Sequence, residues 1–251
     1  GDLADDLGLA LYDTANSGAY GSATVYDAVG FTTDVAPYLE GTGLAGIGAG
    51  ATANDHSFVR RHLFGGGAGL QDTNDNSTDW VLVATDAGTY GSTLATLGGT
   101  SPENLAAENE LSDTQLTISS GPGGTVFTAG PPKSLEFRRT FTNNTGGTLN
   151  AIRFKVTSIT GVNNTVLGQA DLRPTTSALA AGFLGVTLEA PPAYPLVTPS
   201  APPGTLPIGG LNSTLRLNSG LPLLNGASVN VNFRVEYTVS GGTFFYWLVP
   251  E

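Results

Sequence analysis

The clearest hydrophobic pattern in the chain lies over 229–239, VNVNFRVEYTV. Val229, Val231, Phe233, Val235, Tyr237 and Val239 alternate with Asn230, Asn232, Arg234, Glu236 and Thr238. Successive strand side chains point to opposite faces, so this period of two predicts a strand with one face on a core and one in water. Ser240-Gly241-Gly242 follows and predicts a hairpin turn into 243–249, TFFYWLV. That second strand is apolar on both faces. It is either covered on both sides or set against another subunit. Phe244, Tyr246, Trp247 and Leu248 are therefore candidate interface residues, since aromatics are enriched in interface cores. For Tyr246 and Trp247, simple core packing is the plainer reading.

Upstream, 135–142 alternates as far as Arg138-Arg139, where two polar residues in succession shift the phase and predict a β-bulge. Residues 143–147 (NNTGG) read as a turn, and 149–159 resumes with Ile152, Phe154 and Val156 on one face. Shorter strand candidates are 115–119, 125–129, 186–190 and 213–218. In the first hundred residues they are 9–12, 24–31, 57–61 and 80–85, separated by long glycine-rich loops. Helical composition is confined to 103–111, behind Ser101-Pro102 as a start signal. The stretch 191–207 holds seven prolines, which excludes a central strand and predicts an extended surface loop. Many short strands between turn signals predict an all-β chain of two antiparallel immunoglobulin-like β-sandwich units. The boundary falls near Ser101, giving 1–100 and 101–251.

Composition narrows the function classes. The 251 residues include no cysteine, so neither a disulfide framework nor a thiolate metal site exists. Ten Lys and Arg stand against 21 Asp and Glu, a net charge of −11, which opposes nucleic-acid binding. No apolar run approaches the roughly 18 residues of a membrane helix, so membrane insertion is not expected. The chain begins Gly1-Asp2 and contains no methionine. Both features predict a processed product from which a secretory signal has been removed. A surface rich in Thr, Asn, Ser and Gly fits an extracellular or cell-surface protein.

Five segments, in order, carry a resemblance: Leu9-Ala10-Leu11-Tyr12-Asp13, Tyr26-Asp27-Ala28-Val29-Gly30-Phe31, Tyr38-Leu39-Glu40-Gly41-Thr42, His56-Ser57-Phe58-Val59-Arg60-Arg61, and Gln71 through Trp80 (QDTNDNSTDW). From Leu9 to Thr85 the chain resembles the C-terminal half of the bacterial extracellular lamin-tail domain, an immunoglobulin-like sandwich. The remainder is similar to the β-sandwich that often follows such domains in secreted bacterial proteins, mainly at Arg138-Arg139-Thr140-Phe141-Thr142-Asn143-Asn144-Thr145 and the closing strand pair. The family's domain opens with further strands that have no counterpart here. The resemblance therefore implies an incomplete first sandwich, with an exposed edge and uncovered core that either a neighbouring chain or residues preceding Gly1 complete. It also implies binding or scaffolding and no reaction.

The remaining candidates are polar clusters. Asp72, Asn74, Asn76 and Asp79 place oxygen ligands at the spacing that opens an EF-hand-like loop, a candidate calcium site that lacks the usual glycine and distal glutamate. The alternative, favoured by the resemblance, is an Asx-rich turn bonded to its own backbone. Gly41-Thr42-Gly43-Leu44-Ala45-Gly46 matches G-x-G-x-x-G, but Pro37 precedes it and glycine-rich sequence follows, so a loop is expected. His56 and His62 are the only histidines, and no G-x-S-x-G elbow exists. Glycosylation sequons start at Asn76, Asn143, Asn163 and Asn212, with Asn143 and Asn163 the better placed. The expectation is a non-enzymatic, secreted structural protein that binds copies of itself in a filament or surface layer. The alternative is an adhesion module that binds surface glycans.

Overall fold

The computed structural model describes residues 7–20, 24–47, 56–62, 70–84, 88–99, 111–128, 133–159, 172–180, 182–189, 210–237 and 246–251. These residues form an all-β fold with one four-residue α-helix.

In the first part, β1 (Leu9–Tyr12) pairs with β2 (Val25–Val29) as a separate two-stranded sheet. A second sheet joins β3 (His56–Arg60), β4 (Trp80–Ala84) and β7 (Thr96–Leu97), while β5 (Thr89–Tyr90) and β6 (Thr93–Leu94) form a small hairpin. The helix α1 (Asn76–Asp79) leads directly into β4. The part is not wholly antiparallel, because β4 and β7 run in parallel. Its core is small, built on Leu82, Ala84, Tyr90 and Ala95 with Phe58 against them.

The second part is a β-sandwich of two four-stranded sheets. One contains β8 (Leu116–Thr128), β9 (Ser134–Asn143), β11 (Leu172–Thr175) and β14 (Ser228–Tyr237), in the order β11-β14-β9-β8. The other contains β10 (Arg153–Ile159), β12 (Val186–Glu189), β13 (Thr214–Leu217) and β15 (Tyr246–Pro250), in the order β12-β13-β10-β15. The alternation over 229–237 does what its period requires. Val231, Phe233 and Val235 are buried, as are Ile152, Phe154 and Val156 from the opposite sheet. Phe141, Phe154 and Phe233 meet at the centre with ring centroids 4.8–6.0 Å apart. β11, which carried no strand signal, holds Pro174. It lies at a sheet edge, where a missing N–H is tolerated.

The bulge sits elsewhere than expected. β9 pairs with β14 without interruption through Arg138 and Arg139, and the register slips in β8, between Ser120 and Thr125. The two short candidates at 115–119 and 125–129 are thus one strand, kinked across 121–124 (Gly-Pro-Gly-Gly). Gly121 packs so closely on Arg138 that a Cβ would lie 2.8 Å from its carbonyl carbon. All of the predicted helix at 103–111 except Leu111, and the whole proline-rich stretch at 191–207, lie outside the described residues.

The two parts meet through backbone. Gly98 forms a bridge with Leu211, and a Cβ on Gly98 would lie 2.1 Å from the Leu211 carbonyl oxygen. Gly210 approaches Leu97 as closely, at φ +155°, where a side chain is strained in any case.

Candidate functional site

The acidic segment 72–79 is organised around hydrogen-bond donors. Asp75 is the N-cap of α1: it accepts from the Thr78 N–H and the Ser77 hydroxyl, and its other oxygen accepts from the Thr42 N–H. Those bonds, the Ser77 hydroxyl first, hold its carboxyl well below the usual carboxylate range. Burial pushes Asp79 up, but the N–H and hydroxyl of Thr73, the Gln71 amide and the Asp75 N–H all donate to it and leave its pKa lowered. Asn76, with no exposed surface, faces the other way. Its Oδ1 accepts from Gly30 and Glu40 N–H at 3.0 Å each, and its Nδ2 donates to the Ala28 carbonyl at 2.7 Å. These bonds bear on the candidate calcium set of Asp72, Asn74, Asn76 and Asp79. The oxygens of Asp79 and Asn76 are taken by protein donors, and a position ringed by N–H groups repels a cation. Among the described residues no group of three His, Cys, Asp or Glu side chains is placed to hold a metal.

Three of the four sequon asparagines are likewise engaged in the fold. Asn143 is fully buried and its Nδ2 donates to the carbonyls of Gly147 and Leu223. Asn212 is buried and its Nδ2 donates to the Gly99 carbonyl. With Asn76, all three commit to backbone carbonyls the nitrogen that would carry a glycan. Asn163 lies outside the described residues. The glycines of 41–46 serve close approach: a Cβ on Gly43 would lie 2.4 Å from the carbonyl carbon of Phe31. His56 stacks against Tyr90 at 4.5 Å between ring centroids.

A basic cavity of about 240 Å³ lies where the two parts meet, lined by Arg60, Arg61, His62 and Lys155 among others. Arg60 is committed to Asp27 and Asp72.

The larger cavity, about 440 Å³, opens between the sheets of the second part on the side where β8 and β15 are the outermost strands. Tyr246, Trp247 and Leu248 from the candidate interface set line it, together with Ile118, Phe137, Phe141 and Arg139. Phe244 lies outside the described residues. Two features make this cleft unusual. Ile118 stands opposite Phe141 on the inward face of its sheet, yet is 43% exposed. The Tyr246 hydroxyl is buried without a hydrogen-bond partner, and burial raises its pKa far above the ordinary phenol value. The sequence contained a signal for Arg139 that the bulge reading misassigned. With β9 in continuous register, Arg139 shares the inward face with Leu135, Phe137 and Phe141. An arginine at a core position marks a place where the core is open.

No family model, no curated protein and no solved structure matches the chain.

Proposed function

We propose that this chain is a secreted structural protein that associates with copies of itself into an extracellular filament or surface layer, each copy completing a sheet of the next by strand addition. The observation that carries this reading is the uncovered inward face of the second sandwich. A closed sandwich buries its inward aliphatics, whereas Ile118 is left at the mouth of an aromatic cleft between β8 and β15, the outermost of the described strands on that side. A strand edge of that kind is a template for pairing with another chain. The separate β1–β2 sheet adds a second exposed edge, and the lamin-tail resemblance of 9–85 supports a scaffolding role without catalysis.

Sedimentation tests the reading. The protein at micromolar concentration is expected to pellet in the ultracentrifuge and to show regular fibres or sheets by electron microscopy. A monomer that retains its full β-structure under the same conditions refutes it. A second reading has its own support. Trp247, 37% exposed beside the cleft, offers a flat face of the kind on which sugar rings stack, which suits a glycan-binding appendage. Glycan binding by a stable monomer would favour that alternative.

A further inference from the structure

We infer that the cleft between β8 and β15 receives β1 of another copy of this chain, in a head-to-tail contact. The inference rests on the self-association proposed above and names its two surfaces.

The receiving side has an apolar trough, one cation and a stretch of β15 that no described strand pairs beyond β10. Arg153 and Glu251 exchange both backbone hydrogen bonds, at 3.0 and 2.8 Å, so Pro250 turns away from β10 and its carbonyl accepts from the Leu111 N–H. By the alternation of antiparallel ladders, Leu248 presents its N–H and carbonyl to the same outer edge. Below that edge lie Ile118, Phe137, Phe141 and Tyr246. Arg139 lines the trough, donates to the Arg138 carbonyl, and has no carboxylate partner among the described residues.

The entering side is complementary. Among the described strands β1 pairs with β2 alone, which leaves its other edge open. Leu9, Leu11 and Asp13 occupy alternate positions and all are exposed, the two leucines by 52% and 62%. The Asp13 carboxylate has no cationic partner among the described residues. The strand therefore offers two aliphatic side chains and then an acid, against a trough of aromatics and one arginine. The charges of the whole chain follow the same division. Residues 1–100 carry Arg60 and Arg61 against twelve Asp and Glu, whereas 101–251 carry eight Lys and Arg against nine. Contact between unlike ends is thus favoured over contact between two first parts. Because the two surfaces differ, each copy keeps one free end, and the contact generates an open filament unless the rotation closes a ring.

The absence of native cysteine gives a clean test. Leu11→Cys and Ile118→Cys variants are mixed, allowed to associate and oxidised. A covalent dimer at least tenfold above that of either variant alone is expected. In parallel, Arg139→Glu is expected to raise the concentration needed for sedimentation about tenfold, and Asp13→Arg in the same chain to restore it, with circular dichroism confirming folded protein. Two results overturn the inference while leaving self-association standing: pelleted assemblies with no cross-link between the Leu11→Cys and Ile118→Cys chains, or Arg139→Glu assembling like the wild type. A chain that stays monomeric at every concentration removes both. If the thiol of the Ile118→Cys variant is shielded from a thiol reagent in the monomer, the inference is also overturned, because the chain's own residues would then fill the cleft.

Discussion

Arg139 stands directly across the β9–β14 ladder from Val231, so a guanidinium and a fully buried valine share one inward face. A core strand normally carries an aliphatic residue here. The cation persists because the cleft gives its head group a route to solvent while its stem packs on aromatics. Replacement by leucine is expected to stabilise the isolated chain by about 1 kcal/mol through added apolar burial and to weaken association. Urea denaturation and sedimentation check the two halves separately.

The Tyr246 hydroxyl poses a related case. A buried polar group with no partner costs roughly 1–3 kcal/mol in desolvation. Tyr246→Phe should therefore raise the midpoint of urea unfolding in the monomer. If assembly supplies the missing partner, the same variant loses affinity for its own kind, which a dilution series read by light scattering would register.

Asn76 ties three segments together through one amide, bonding Ala28, Gly30 and Glu40. Asn76→Ala strands two N–H groups and a carbonyl in a buried place. A loss of about 3 kcal/mol is expected, from roughly 1–3 for each unsatisfied group with partial relaxation. The thermal midpoint reports it, and Thr78→Ala, which removes the same sequon without touching the amide, should leave stability nearly unchanged.

Acid should unfold the first part through Asp75 and Asp79. Both pKa values are lowered in the folded chain, so between the folded and unfolded values the unfolded state binds more protons. Their stabilisation is fully present above the ordinary carboxylate pKa, near 4, and is lost as pH falls through the folded values. Glu40 acts in the opposite sense. Burial and the neighbouring Asp27 raise its pKa, so protonating it favours the fold. Melting temperature should thus hold or rise slightly from pH 7 to about 5, through Glu40, and fall below about 4 as Asp75 and Asp79 protonate. Asp79→Asn is expected to melt lower at pH 7 and to show a shallower acid limb.

Much of this architecture could be read from alternation alone. β14, β9 and β10 follow their apolar periods closely, because each has one face against a core that aliphatic and aromatic residues fill. β11 was illegible for a physical reason: an edge strand of four residues containing Pro174 has too few apolar positions to show a period. The bulge was assigned to β9 because Arg138-Arg139 breaks the hydrophobic pattern, when it is the opposing Gly-Pro-Gly-Gly of β8 that breaks the ladder. The polar sites misled for another reason. Asp-x-Asn-x-Asn spacing and Asn-x-Thr sequons both describe residues that like tight turns, and in this fold Asn143 spends its amide on closing one while Asn76 and Asn212 tie together segments far apart in the chain. The cleft needed three dimensions, since Ile118, Arg139 and Leu248 come from strands far apart in the chain.

The close contacts of Gly98 with Leu211 and of Gly210 with Leu97 have a mechanical consequence. Two bodies held by side chains alone can rock as rotamers exchange, but at these two points carbonyl meets α-carbon directly, so any larger residue at either glycine would have to push the two parts away from each other.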